Sequence, residues 1–193
     1  MSNTSPTIGQ ALVWLHATQG FLRLPRAKDG RPYAPGYFAR RNWVETLDVS
    51  ENRRVSIRLS RHTECVACGQ AMNASSTGDH IIPRSKDGPR GAQNYLPLCG
   101  NCNPSKGTRD LIEWWHGRGR SVRELPLDVV VAYARLTWQW HRDRGTLISA
   151  APAWLAAAAS SYLDSLPSDA HRSAVRALPF AAPDSANAQE RLW

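Results

Sequence analysis

Long apolar runs are missing from this chain of 193 residues. The longest, Ala153 to Ala159, falls far short of the roughly 20 residues that a membrane-spanning helix needs. Cysteine is scarce as well: there are four, all in two Cys-x-x-Cys pairs, and none is left over. A disulfide-stapled secreted domain spreads its cysteines along the chain, so that class is excluded. Residues 1–20 carry no basic segment ahead of an apolar stretch, and their apolar run is broken at His16, so no secretory signal is expected there. Lysine is nearly absent, with three against 21 arginines. The short apolar runs, the paired cysteines and the missing signal predict an intracellular, cytoplasmic protein with no membrane partner; the lysine shortage points only to a GC-rich genome.

Acidic residues are also outnumbered, 16 against 24 Lys and Arg, for a net charge of +8. The excess is uneven. Residues 1–61 hold ten basic and four acidic side chains, residues 62–110 five and four, and residues 111–193 nine and eight. A basic surface of this kind predicts a polyanionic partner, most simply nucleic acid. Residues 22–42 combine basic residues with three prolines, two glycines, and the aromatics Tyr33, Tyr37 and Phe38. Such an arm suits phosphates and stacked bases, and equally an irregular loop whose aromatics pack on the core.

Periodicity predicts a short amphipathic helix over Ile8–Gln19, ended by Gly20, and a strand over Val55–Leu59. Further helices are expected to end over Arg109–His116 and to run over Leu127–Arg144, Ala153–Leu166 and Ser168–Leu178, the last with Ser168 or Asp169 as N-cap. Val130, Val131, Ala134 and Trp138 mark one apolar face. Trp114, Trp115, Trp138 and Trp140 are expected to anchor packing rather than stack on bases. The expected organisation is a basic segment over 1–61, a core over 62–116, a helical region over 117–178 and a disordered tail over 179–193.

The chemistry is concentrated between Cys65 and Lys106. Cys65/Cys68 and Cys99/Cys102 form two knuckles, each placing two sulfurs on one side of a tight turn, and together they complete a tetrahedral zinc site. With four protein ligands the site is closed, so this Zn²⁺ is structural. Thirty residues separate the pairs, where a plain zinc ribbon has about 15–20. That span leaves room for a hairpin and holds Asp79, His80 and Asn94. Histidine changes charge near neutral pH, so His80 can take a proton from water. Asp79 offers a hard anionic oxygen suited to Mg²⁺ or Mn²⁺. Neighbours on a strand face opposite ways, so Asp79 and His80 must be splayed or must approach a phosphate from different sides.

The run Asp79-His80-Ile81-Ile82-Pro83, a basic Gly-containing loop, Asn94-Tyr95-Leu96-Pro97-Leu98-Cys99, and then Cys102-Asn103 and Lys106 resembles the HNH endonuclease family over about residues 65–107. The resemblance implies an α+β fold. Its centre would be a zinc-stapled ββα-metal core, flanked by mainly helical N- and C-terminal segments. It places strands near Gly78–Ile82 and Tyr95–Leu98 and a helix from about Asn103 toward Trp115. It also implies that Asp79 and Asn103 hold a catalytic Mg²⁺ or Mn²⁺, that His80 is the general base, and that the products carry 5′-phosphate and 3′-hydroxyl ends. Asn103 stands where many family members have histidine, while phage Holliday-junction resolvases and the HNH domains of CRISPR effectors have asparagine. Asn94 is expected to bond loop backbone and so hold His80 in place. Lys106 lies one turn past Asn103, and Lys106, Arg84, Lys86 and Arg90 are the expected phosphate contacts.

The function implied is metal-dependent hydrolysis of DNA by a bacterial or phage protein, in restriction or defence. Homing, mobile-element and junction-resolving nucleases are the alternatives. One such site cuts one strand, so a double-strand break would need a homodimer or two successive events. A non-catalytic zinc-knuckle protein is the competing class, and it would have no need of Asp79, His80 and Asn103 together.

Overall fold

The computed structural model describes residues 5–23, 47, 62–72 and 78–178. The expected strand over Val55–Leu59, the aromatic-basic arm and the tail beyond residue 178 lie outside the described residues. The chain divides into two compact units, one of residues 1–48 and 138–193 and one of residues 49–137. The N-terminal helix and the last helices, far apart in sequence, therefore share a unit, and residues 117–137 join the cysteine-bearing segment.

In the first unit, α1 (Ile8–Arg23) starts at a reciprocal cap. Gln10 Oε1 accepts from the Thr7 amide at 2.9 Å, and Thr7 Oγ1 accepts from the Gln10 amide at 3.2 Å. The Ile8 and Gly9 amides, which have no partner within the helix, donate to Ser149 and Leu147 carbonyls, each at 2.9 Å. The helix is not the amphipathic one its periodicity predicts. Leu12 and Leu15 are buried, but so are Ala11, Val13, Ala17, Thr18 and Gln19, which is the pattern of a helix enclosed on most sides. α5 (Ala153–Asp164) and α6 (Asp169–Arg176) supply part of that enclosure. Ser168 caps α6, its side chain accepting from the His171 amide, as the sequence predicts.

The second unit is built around a small antiparallel sheet of β1 (Asp79–His80) and β2 (Tyr95–Leu96), in the register Asp79 opposite Leu96 and His80 opposite Tyr95. Both strands are shorter than the segments expected. Past His80 the Ile81 amide still pairs with the Asn94 carbonyl at 2.9 Å. The Ile82 amide and carbonyl then bond the Asn94 side chain, and Pro83 and Pro97 have no N–H to continue a ladder.

The single helix expected from Asn103 to Trp115 is two: α2 (Cys102–Lys106) and α3 (Leu111–Gly117). Gly107 breaks it at φ 55°, ψ −135°, a conformation that favours glycine. Asp110 restarts it with a capping box: its carboxylate accepts from the Ile112 and Glu113 amides while Glu113 accepts from the Asp110 amide. α4 (Leu127–Arg142) follows and runs past the end of this unit at Thr137; it buries Val130, Val131, Ala134 and Trp138 as expected, and also Val129, Tyr133 and Leu136. Among the described residues no helix is long and apolar enough to cross a membrane. The protein is a helix-rich α+β chain with a two-stranded sheet and a cysteine cluster.

Candidate active site and metal centres

The four cysteines meet. Their sulfurs all lie within 4.8 Å of one another, and Cys68 Sγ is 3.7 Å from Cys99 Sγ. Zn–S bonds of about 2.3 Å in a tetrahedron put sulfurs about 3.8 Å apart, so the cage fits zinc. The first knuckle is a tight hairpin in which the Gly69 amide donates to the Cys65 carbonyl and the Cys65 amide to the Gln70 carbonyl, both at 2.8 Å. The Val66 amide donates to the Pro97 carbonyl at 3.0 Å, which ties this knuckle to the end of β2. The second knuckle runs into α2. The Cys102 amide, helped by that of Asn101, pulls the Cys99 thiol down to about 6 against the opposing effect of burial. Burial and the neighbouring thiols push Cys102 up. A divalent ion is what would let all four ionise together.

Arg120 closes the structure around the first knuckle, although its sequence position carries no such signal. It donates to the Ala67 carbonyl, sits 4.0 Å over the Trp115 ring and pairs with Glu124 at 2.8 Å. Three of the histidines without a motif have structural partners. His62 bonds Asp128 at 2.9 Å, His141 bonds Thr146 at 2.7 Å, and His171 bonds Ser168 at 2.7 Å.

β1 and α2 bring the polar residues of the motif together. Asn103 Nδ2 donates to the carbonyl of Gly78 at 2.6 Å. A carbonyl can face only the amide's NH₂ group, so Asn103 Oδ1 is left as a free acceptor beside the start of β1. Gly78 is fixed in turn. Its φ is 62°, and a Cβ there would strike the Tyr95 ring. That ring shares a face with His80, because cross-strand partners project to the same side of a sheet and His80 lies two residues beyond Gly78. Asp79 projects to the other face, where its Oδ2 accepts from Lys106 Nζ at 3.0 Å.

Lys106 corrects an expectation. It is not a surface cation available to a phosphate but is fully buried, at 0 % exposure, with its ammonium on an aspartate that is 15 % exposed. Helical spacing places it on the face of Asn103, and the buried end of that face is Asp79. Asn94 is also fully buried. Oδ1 accepts from the Ile82 amide at 2.8 Å, and Nδ2 donates to the Ile82 carbonyl at 2.8 Å and the Pro89 carbonyl at 2.9 Å. One amide thereby closes the loop that carries Arg84, Lys86 and Arg90, all three exposed.

Asp110 joins α3 to α4 through the Tyr133 hydroxyl, 3.1 Å from each carboxylate oxygen. The Asp-x-x-Glu spacing is the signal that marks this cap in the sequence; nothing local points to Tyr133. Burial pushes the Asp110 carboxyl up to about 6, against the Ile112 and Glu113 amides, the Tyr133 hydroxyl and the Lys106 charge. Its folded pKa lies above the ordinary 3.8, so the native state takes the proton first. The favourable contribution is complete below about pH 4 and is lost as pH rises through about 6. The melting temperature of wild type relative to Asp110→Asn should therefore fall between about pH 4 and pH 7. A difference that does not change with pH would remove this account.

Residues 65–109 match the family model described as HNH endonuclease. No curated protein and no solved structure matches the chain. With the cysteine cage, the Asn103–Gly78 bond and the Asp79–Lys106 pair all inside the matched stretch, the chain carries an HNH endonuclease domain over residues 65–109.

Proposed function

We propose that this domain is a divalent-metal-dependent endonuclease that hydrolyses DNA, leaving 5′-phosphate and 3′-hydroxyl ends. The observation that carries the reading is the convergence of β1 and α2. Asn103 is anchored to the carbonyl just before Asp79, and Asp79 is held by Lys106 from the same helix. Asp79 Oδ1 and Asn103 Oδ1 are the oxygens left to hold an ion. Such a sparse set, one carboxylate and one amide, suits Mg²⁺, which keeps several waters, and Mn²⁺ is the alternative. When bound, the ion would neutralise phosphate charge and stabilise the leaving oxygen. His80 takes the proton from a water whose oxygen attacks phosphorus, and the bond to the 3′ oxygen breaks. Asn94 positions the loop after β1 and so the strand that carries His80. Restriction or defence is the proposed role, with homing and junction resolution as its competitors.

The test is cleavage of supercoiled plasmid with Mg²⁺, with Mn²⁺ and with no added divalent ion. Nicked or linear product that needs the ion supports the reading. Binding without cleavage of plasmid, branched or modified DNA would favour the non-catalytic zinc-knuckle class.

The buried pair complicates the obvious metal-ligand variant. Asp79→Ala strands the Lys106 ammonium in the interior, which should cost about 3–5 kcal/mol of stability. Adding Lys106→Met should restore most of that loss without restoring cleavage. Urea unfolding of the single and double variants measures this. Equal stability of the two would mean that Lys106 does not depend on Asp79.

A further inference from the structure

Next to α2 lies a charged feature that the metal site does not use. Ser105, exposed and two residues past Asn103, gathers three side chains. Arg109 donates to its backbone carbonyl and, through Nε, to the Lys106 carbonyl at 3.3 Å. Arg118 Nη1 reaches the Ser105 hydroxyl at 3.4 Å, and Trp114 Nε1 reaches the same oxygen at 3.2 Å. The Arg118 guanidinium also sits 5.2 Å from the centre of the Trp114 ring. Arg109, from the break after α2, and Arg118, just past the end of α3, thus converge on one residue.

Both arginines are exposed, and their partners among the described residues are carbonyl, hydroxyl and ring, with no carboxylate. The acids that sequence proximity would offer are engaged. Asp110 is held by its capping-box amides and by Tyr133, the half-buried Glu113 accepts from the Asp110 amide, and Glu124 is paired with Arg120. The feature therefore presents two positive charges whose guanidinium forks keep free N–H donors. Gly107, Thr108, Gly117 and Gly119, also exposed, are small and offer no apolar anchor. Charge without an apolar centre fits a polyanion and not a folded protein partner.

We propose that Arg109 and Arg118 form a clamp for the phosphate backbone of duplex DNA beside the cleavage site. The proposal rests on the nuclease reading and extends it, moving the phosphate contact expected of Lys106 to two residues that the family resemblance did not mark. The contact is to backbone oxygens, so it contributes affinity and register but no sequence preference.

The test measures binding of the full, zinc-loaded chain to a short labelled duplex, with no added Mg²⁺, over a range of salt. In Arg109→Gln/Arg118→Gln the affinity should fall at least about tenfold, and the slope of log K against log salt should drop by about 1.8, roughly 0.9 for each phosphate no longer neutralised. Arg109→Lys/Arg118→Lys should recover the slope. An unchanged slope in a double variant with wild-type zinc content overturns the clamp. Should the double variant lose zinc, Arg118→Gln alone, which removes only a hydroxyl and a ring contact, should lower the slope by about 0.9, and no change overturns it again. A slope change seen with duplex RNA and not with DNA overturns DNA as the partner. Cleavage is read separately. A protein that cuts but keeps its slope loses the clamp alone, and one that binds through these arginines without cutting loses the nuclease reading alone.

Discussion

Replacing His80 with alanine should slow plasmid cleavage by roughly 10²–10⁴-fold, the range for loss of a positioned general base. It should leave zinc content, folding and duplex binding unchanged. His80 is half-buried on β1, and no hydrogen bond holds its imidazole among the described residues. The contacts that fix the site run elsewhere: through Asn103 to Gly78, Lys106 to Asp79, and Asn94 to Ile82. Removing the ring thus removes a proton acceptor without removing a strut. Single-turnover cleavage with both proteins at equal duplex occupancy is the measurement. Comparable rates would show that another group or bulk solvent takes the proton, and the assignment of His80 would fail.

Loss of the zinc should undo the module as a whole. Metal binding at a four-cysteine site is worth on the order of 10–16 kcal/mol in small zinc modules, as large as the whole of the roughly 5–15 kcal/mol that holds an ordinary domain folded. The cage also organises what the chemistry needs. Its second knuckle leads directly into α2 and Asn103, whose amide donates to the Cys99 carbonyl at 3.0 Å, and its first knuckle is pinned to the end of β2 through Pro97. Cys99→Ser or a strong chelator should abolish cleavage even with Mg²⁺ restored. It should also strip hydrogen-exchange protection from the amides of Val66, Gly69, Ile81 and Asn103. One zinc per wild-type chain is the expected stoichiometry. A chain that folds cooperatively and protects these amides with no zinc bound would end the structural-metal account.

The two expectations differ in how they read. His80→Ala separates chemistry from architecture, whereas Cys99→Ser removes both. Asp79→Ala falls between them, because Asp79 is at once a candidate ligand and the counter-ion of a buried lysine. Its loss of activity has to be read beside the double variant with Lys106→Met.

What was legible in the amino-acid sequence alone was local. Knuckle spacing brings sulfurs together over three residues, periodicity and caps place α4, α5 and α6, and Asp79-His80 and Asn103 stand in a recognisable order. Each of these depends on neighbours within a turn or two of chain, where backbone geometry leaves few choices. The pairing of distant segments came only with the tertiary fold. Lys106 has the spacing of an exposed cation, yet it is buried because an aspartate 27 positions earlier meets it in the interior. α1 has the pattern of an amphipathic helix, yet packing within its unit encloses it. The continuous helix after Asn103 is broken because Gly107 can turn and Asp110 can cap and reach Tyr133, 23 positions away. Arg109 and Arg118 meet over Ser105 only once that break has redirected the chain. Burial and ion pairing are properties of the assembled interior, where the cost of an unpaired charge selects partners that no local pattern names.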